Sequence, residues 1–182
     1  LDDAETFSLI RSTKTLGVFQ IESPGQRELI GKFAPEVFDD LIIDISLFRP
    51  GPVKSDMITP FLSARQGWRA LRLIHPSLYE ILVETEGVVV FHEQVIRMIA
   101  TIAGISLAEA ESYRRLLNDP ERSIEFYPWF AERASERGYP IEVITEVSDV
   151  LRAFASFGFC KAHAAAFALP TYQSAWLKTH YP

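Results

Sequence analysis

Cysteine is nearly absent from this sequence, which contains only Cys160. One cysteine excludes an internal disulfide and is typical of a reducing, cytoplasmic compartment. Long apolar runs are absent too, because no stretch approaches the roughly 20 residues that span a bilayer. No signal-peptide pattern opens the chain. The sequence therefore predicts a cytoplasmic protein with no membrane partner.

An excess of positive charge is also missing. The chain has 18 Lys and Arg against 24 Asp and Glu, a net charge of −6, whereas a general nucleic-acid binder usually presents a basic surface. Any site for a polyanion must therefore be local. The 182 residues are 48% hydrophobic and 23% charged, a composition that can bury a core and is not that of a disordered segment.

Motifs for chemistry are equally scarce. The sequence has no Gly-rich phosphate loop and no Asp-x-Asp pair that would hold catalytic magnesium, and its four histidines are scattered. Cys160 and His163 form either a nucleophile pair or, the interpretation we favour, a packed thiol beside aromatic residues. Asp2-Asp3 and Asp39-Asp40 are predicted to lie on solvated helix faces. No catalytic residue and no metal ligand is predicted in this chain.

Apolar side chains recur mostly at helical spacing, and few segments alternate as strands do. We predict a mainly α protein. Its helices are expected at about 2–11, 24–33, 35–47, 56–66, 76–86, 106–118, 121–137, 141–155 and 163–179. The segment 88–103 joins a β-branched run to a helical continuation, and the segment 16–23 reads as a turn or connector.

Pro170 interrupts an otherwise helical run. An interior proline removes one hydrogen bond and costs roughly 3 kcal/mol. Either the helix kinks there or two helices meet, and we favour the kink.

Two adjacent arginines stand on the segment that opens at Ser106. Leu107, Ala110 and Leu117 share one stripe of that helix, and Arg114 falls inside the stripe. It either makes a buried ion pair or lines a cleft where an external anion completes the pairing. The partner would be Glu93, Glu111 or a carboxylate of another helix.

Other cations occupy unusual settings as well. Arg115 lies four residues after Glu111, the spacing of a surface ion pair. Lys161 and His163 stand at a helix start, where backbone N–H groups favour an anion. Arg49 lies between Phe48 and a Pro-Gly-Pro turn, in apolar surroundings.

Six segments occur in one order along nearly the whole chain: TLGVFQIES (15–23), LFRPGP (47–52), GVVVFHEQV (87–95), AESYRRLL (110–117), FASFGFCKAHAAAFA (154–168) and YQSAWLKTHYP (172–182). Together they resemble the fingers region of bacterial C-family replicative DNA polymerases, the DNA polymerase III alpha subunits. The resemblance implies that residues 1–182 are a multi-helix fingers domain from a larger polymerase. The palm, which holds Mg²⁺ on its aspartates, would lie upstream, and the C-terminal DNA-binding domains would be absent, so this part alone would be inactive.

The resemblance also implies roles for individual residues. Arg114 and Arg115 match the arginine pair that faces the triphosphate of the incoming dNTP, and Lys161 and His163 match a Lys-Ser-His segment on the same electropositive wall. Positioning or packing roles are implied for the matching residues of the framing segments, Gly17, Gln20, Glu22, Arg49, Glu93 and Gln94. The implied partners are dNTP and primer–template DNA, with other replisome or repair subunits.

The sequence departs from the family pattern at several positions. Asn118-Asp119-Pro120 stands where the family continues with Gly and lysines, and Phe91-His92 replaces Tyr-Gln. Ala162 takes the place of the serine in Lys-Ser-His, and Pro170 is foreign to the family helix. These departures favour an error-prone or accessory paralogue over a main replicase. The alternative is a non-catalytic, polymerase-derived helical interaction module.

Overall fold

The part of the chain that the structure describes is helical. The computed structural model describes residues 1–48, 57–154 and 159–182, which form ten α-helices and no β-strand. The helices are α1 (Ala4–Arg11), α2 (Pro24–Phe33), α3 (Phe38–Leu47), α4 (Ile58–Arg65), α5 (Tyr79–Leu82), α6 (His92–Ala103), α7 (Leu107–Leu116), α8 (Pro120–Glu136), α9 (Ile141–Phe154) and α10 (Lys161–His180). The prediction of a mainly α, multi-helix fold is confirmed.

The chain divides into two compact units, which are Leu1–Trp68 with Phe159–Pro182, and Arg69–Gly158. In the first unit α3 packs along α10, and α1 packs against α2 and α10. The core of this unit includes the fully buried side chains of Ile10, Ile30, Phe33, Leu41 and Phe61. The prediction that residues 1–182 form one fingers domain is not tested by this division and stays a prediction.

The second unit carries the arginine pair. In it α6 packs against α7 and α8, and α8 packs against α9. Its core is formed by apolar side chains of α6, α8 and α9, among them Met98, Ile99, Phe130, Val147 and Leu151. Two 3₁₀ turns, Pro76–Leu78 and Val83–Thr85, flank the short α5. The predicted helix over 76–86 is therefore three short helical pieces.

Local sequence signals define several helix starts. Ser23 caps α2 by accepting from the Gln26 backbone N–H, with Pro24 in the first turn, as predicted. In α3 the prediction was wrong about Pro35, because the helix begins three residues later, after Val37. The reason is Asp40, whose carboxylate accepts from the backbone N–H groups of Glu36 and Val37 and so holds residues 35–37 outside the helix.

The environment of Asp40 shows that the prediction of a solvated Asp39-Asp40 pair is wrong for the second residue. Asp39 is exposed, but Asp40 is buried and accepts a hydrogen bond from Arg65 Nη2 at 2.7 Å. Arg65 in turn donates from Nε to the Phe33 carbonyl and lies 4.4 Å from the Phe33 ring centroid. This partly buried ion pair joins the end of α2, the start of α3 and the end of α4.

Pro170 lies inside α10, which runs without a break from Lys161 to His180. The alternative that two helices meet at Pro170 is therefore wrong. Proline cannot donate to the carbonyl four residues earlier, and that residue, Ala166, is exposed, so water can satisfy the freed carbonyl. Pro128 lies in α8 in the same way, four residues after the exposed Ile124.

A buried carboxyl in α3 leads to a prediction of how the stability of the fold depends on pH. Asp44 is fully buried, and neither of its side-chain oxygens has a hydrogen-bond partner among the residues that the structure describes. Burial raises the pKa of Asp44 well above the ordinary aspartate value, the charge of Arg65 opposes the rise, and the charge of Asp40 adds to it. The unfolded chain therefore loses this proton at a lower pH than the folded chain does, so rising pH favours unfolding.

We expect Asp44→Asn to stabilise the chain relative to wild type at neutral pH, because the amide cannot ionise. The gain should be small near pH 4, close to the ordinary aspartate pKa, and grow as the pH rises. Thermal unfolding of both proteins at a series of pH values measures it, with the exposed Asp39→Asn as the matched control. A stability difference that does not change with pH would contradict the prediction.

No helix of the described residues combines the length and the apolar character needed to cross a membrane.

Candidate functional site

Helix α7 carries the two arginines, and its first turn is built as the sequence predicts. The Ser106 hydroxyl accepts from the Glu109 backbone N–H, and the Glu109 carboxylate accepts from the Ser106 backbone N–H at 3.0 Å. This capping box fixes where the helix starts. Of the predicted apolar stripe, Ala110 and Leu117 are buried, but Leu107 is 59% exposed. The stripe is therefore shorter than predicted.

Glu111 holds both arginines. Arg114 donates from Nε to Oε2 of Glu111 at 2.7 Å and from Nη2 to Oε1 at 3.0 Å. Arg115 donates from Nε to the same Oε1 at 2.8 Å. The Arg114 side chain is 16% exposed and the Arg115 side chain 73% exposed. The sequence predicted the Glu111–Arg115 pair and named Glu111 among three options for Arg114. The structure shows that one carboxylate serves both.

The electrostatics of this cluster follow from the shared carboxylate. Hydrogen bonds from Arg114 lower the pKa of Glu111 to about 2, with a further contribution from Arg115, although burial opposes the shift. Glu111 is therefore ionised at neutral pH. The two arginines and this one carboxylate together carry a charge of +1, which favours an anion at the exposed end of the guanidinium groups.

His92 and Glu93 lie in the first turn of α6 and share the electrostatic field of this cluster. Burial lowers the pKa of His92, as does the positive charge of Arg114, while Glu93 and Glu111 oppose the shift. The hydrogen bonds to Glu111 raise the pKa of Arg114, burial opposes this rise, and the negative charge of Glu93 adds to it. His92 is therefore neutral at pH 7 and adds no charge to the cluster.

An aromatic cluster fixes α7 against α8. Tyr113, directly before the arginines, stacks on Trp129 with ring centroids 4.0 Å apart and an interplanar angle of 18°. Phe126 contacts both rings and stacks on Phe130 at 5.5 Å. A cavity of about 400 Å³ opens beside these rings. Sequence reasoning missed this support, although the spacing of aromatic residues at 126, 129 and 130 could have indicated it.

The departure at Asn118-Asp119-Pro120 has a structural role. Asp119 caps α8, and its carboxylate accepts from the backbone N–H groups of Glu121 and Arg122. It also lies 3.5 Å from the Arg122 guanidinium. The acidic residue that stands near the arginine pair in the sequence is thus engaged at a helix start, where negative charge is stabilised.

The predicted cations of the other unit stand at the first turn of α10. Lys161 is the first residue of the helix, and the exposed His163 ring lies between Phe159 and Phe167, with centroids 5.3 Å and 4.4 Å away. Cys160 is exposed, so the prediction of a packed thiol is wrong. Arg114 and Lys161 belong to different compact units, and the hypothesis that they share one cleft stays a prediction.

The connector 16–23 is a series of turns docked on α10. Gly17 has φ +79° and Gln20 has φ +66°, backbone angles that favour glycine and are uncommon for glutamine. The Glu22 carboxylate accepts from the Gly17 backbone N–H at 3.2 Å. The Phe19 backbone N–H donates to Ser174 Oγ at 3.1 Å. Glu22 and Gly17 therefore stabilise the turn itself. Arg49 lies outside the described residues.

The side-chain amide of Gln94 makes its hydrogen bonds within the fold. Its Oε1 accepts from the backbone N–H groups of Val90 and Phe91 at 2.8 and 2.9 Å, and its Nε2 donates to the Ile81 carbonyl and to Thr85 Oγ1 at 3.0 and 2.7 Å. The side chain is buried. These four bonds join the segment around α5 to the start of α6.

Metal ligands are not gathered in the part of the chain that the structure describes. No group of three or more His, Cys, Asp or Glu side chains there is placed to hold a metal ion. We therefore assign no chemical step on the described residues to a metal.

Known proteins resemble the chain along its whole length. Residues 1–138 match the family model for the bacterial DNA polymerase III alpha subunit finger domain. The chain is 38% identical over 183 residues to the error-prone DNA polymerase of Symbiobacterium thermophilum, covering 99% of this chain and 17% of that protein. It is 39% identical over 189 residues to DNA polymerase III subunit alpha of Vibrio cholerae, and 36% identical over 189 residues to that of Escherichia coli. Each of these two alignments covers 100% of this chain and 16% of the relative.

These relatives carry both names, error-prone polymerase and subunit alpha, at nearly equal identity, so identity does not separate the two. The chain spans about one sixth of the length of the curated relatives it matches. The match over residues 1–138 includes α7 and both arginines. The chain belongs to the bacterial DNA polymerase III alpha subunit finger domain family.

Proposed function

We propose that this chain is the finger domain of a template-directed DNA polymerase and that Arg114 and Arg115 bind the triphosphate of the incoming deoxynucleotide. The observation that carries the proposal is the geometry of α7, where adjacent guanidinium groups share one carboxylate and retain N–H donors that no other described residue accepts from. Arginine suits a phosphate because its planar fork binds two oxygens and stays protonated. Family membership supports the same role.

The chemistry of this site is electrostatic. Phosphoryl transfer places negative charge on the leaving pyrophosphate, and fixed cations beside it lower the barrier. Arg114 and Arg115 would supply such cations, and the family resemblance implies a phosphate-binding role for Lys161 and His163 as well. Magnesium takes part in this class of reaction, and we place it on the polymerase's other domains. Primer–template DNA, replisome or repair subunits and a cytoplasmic location complete the proposal.

One observation favours a second candidate, a helical interaction module without nucleotide turnover. Asp119 and Pro120 build the start of α8 at the positions where the resembled family has cations. The sequence after Arg114 and Arg115 therefore has fewer cations than the family pattern.

Primer extension by the full-length polymerase that carries this chain separates the two candidates. We expect Mg²⁺-dependent addition of the nucleotide complementary to the template, with the three non-complementary nucleotides as controls. DNA binding without any extension, by a protein whose other domains are intact, would favour the interaction module.

A further inference from the structure

The Glu111 carboxylate uses both of its oxygens on the arginine pair, and it engages each guanidinium from the side. Arg114 bonds through Nε and Nη2, and Arg115 bonds through Nε alone. Each guanidinium has five N–H donors, so the Nη1 group of Arg114 and both Nη groups of Arg115 remain. Neither guanidinium makes another hydrogen bond to the residues that the structure describes.

The bonds of Glu111 set the direction of both side chains. Arginine is long and has several rotatable bonds, and ordering it costs free energy when a ligand binds. A bidentate contact at 2.7 and 3.0 Å fixes the plane of the Arg114 guanidinium before any ligand arrives. Glu111 lies on the same helix, three and four residues earlier, so the geometry is built into α7 itself.

We propose that Glu111 is a positioning residue of the phosphate site, holding Arg114 and Arg115 by their Nε edges so that their Nη ends face the triphosphate. The inference rests on the function proposed above and adds a residue to that site. It places Glu111 against the arginines rather than against the nucleotide. The opposite role, in which the carboxylate occupies the arginines and must be displaced by phosphate, is the competing outcome.

Glu111→Gln separates these roles in the full-length polymerase. The amide keeps the size of the side chain but can accept from the arginines through only one oxygen, and its NH₂ group faces their donors. By analogy with groups that orient metal ligands, we expect the maximal incorporation rate to fall about 10- to 100-fold. Single-turnover incorporation across a dNTP titration measures the rate and the nucleotide Kd separately.

A double-mutant cycle shows whether Glu111 acts through Arg114. We expect Glu111→Gln to have a smaller further effect in an Arg114→Ala background, because only the bond from Arg115 to Glu111 is then left to lose. A purely structural role would instead give additive losses together with a lower unfolding temperature. Glu136→Gln is the matched control, because Glu136 pairs with Arg133 at the same i,i+3 spacing on the exposed face of α8.

Each result decides the inference. A tighter nucleotide Kd with an unchanged rate in Glu111→Gln would show competition and overturn the positioning role, and so would a variant identical to wild type. An Arg114→Ala variant with full activity would instead overturn the proposed function itself. If the glutamine variant does not fold, Glu111→Ala replaces it, because alanine is the strongest helix former. The same two readouts then apply.

Discussion

Replacing Arg114 with alanine is expected to lower the maximal rate of nucleotide incorporation about a hundred- to a thousand-fold. Losing one preorganised group that stabilises charge in a transition state commonly costs about 2.7–4 kcal/mol. Arg114 fits this role because its side chain is only 16% exposed and is fixed by Glu111. The measurement is single-turnover incorporation by the full-length polymerase over a dNTP titration, with DNA affinity measured separately at fixed salt.

Two further variants serve as controls for this prediction. Arg115→Ala should cost less than Arg114→Ala, since its side chain is 73% exposed and one bond holds it. Arg114→Lys should restore only part of the rate, because an ammonium lacks the bidentate fork. An Arg114→Ala protein that keeps its incorporation rate, or loses it only by unfolding, would reduce Arg114 to a structural ion pair.

Replacing Gln94 with leucine is expected to destabilise the second unit by about 2–6 kcal/mol. The substitution leaves the buried backbone N–H groups of Val90 and Phe91 without their acceptor, and each unsatisfied buried group costs about 1–3 kcal/mol. The Ile81 carbonyl and the Thr85 hydroxyl also lose their donor. Denaturant unfolding of the chain, followed by circular dichroism, measures the loss.

Gln173→Leu is the matched control, because Gln173 is exposed on α10 and the same change there should leave the free energy of unfolding nearly unchanged. Equal midpoints for Gln94→Leu and wild type would mean that water or neighbouring groups replace the lost bonds, contrary to this prediction.

Local signals were sufficient for much of the fold. The capping residues Ser23 and Ser106 each act on the backbone N–H three residues later, so the start of α2 and the start of α7 could be predicted from nearby residues. The Glu111–Arg115 pair was predictable for the same reason, because i,i+4 neighbours on one helix meet whatever surrounds them. Prediction failed where a residue distant in the sequence determines the environment of a side chain, as Arg65 does for the buried Asp40.

By itself, the sequence determined that the chain is mainly helical, and its ordered motifs identified the finger domain family before any coordinates. Both follow from properties that short stretches of chain carry, such as helical periodicity and caps. Only the tertiary structure decided that Glu111 serves both arginines, that Tyr113 stacks on Trp129, and that Gln94 satisfies groups up to 13 residues away. These depend on rotamers and on the packing of one helix against another, which spacing along the chain does not specify.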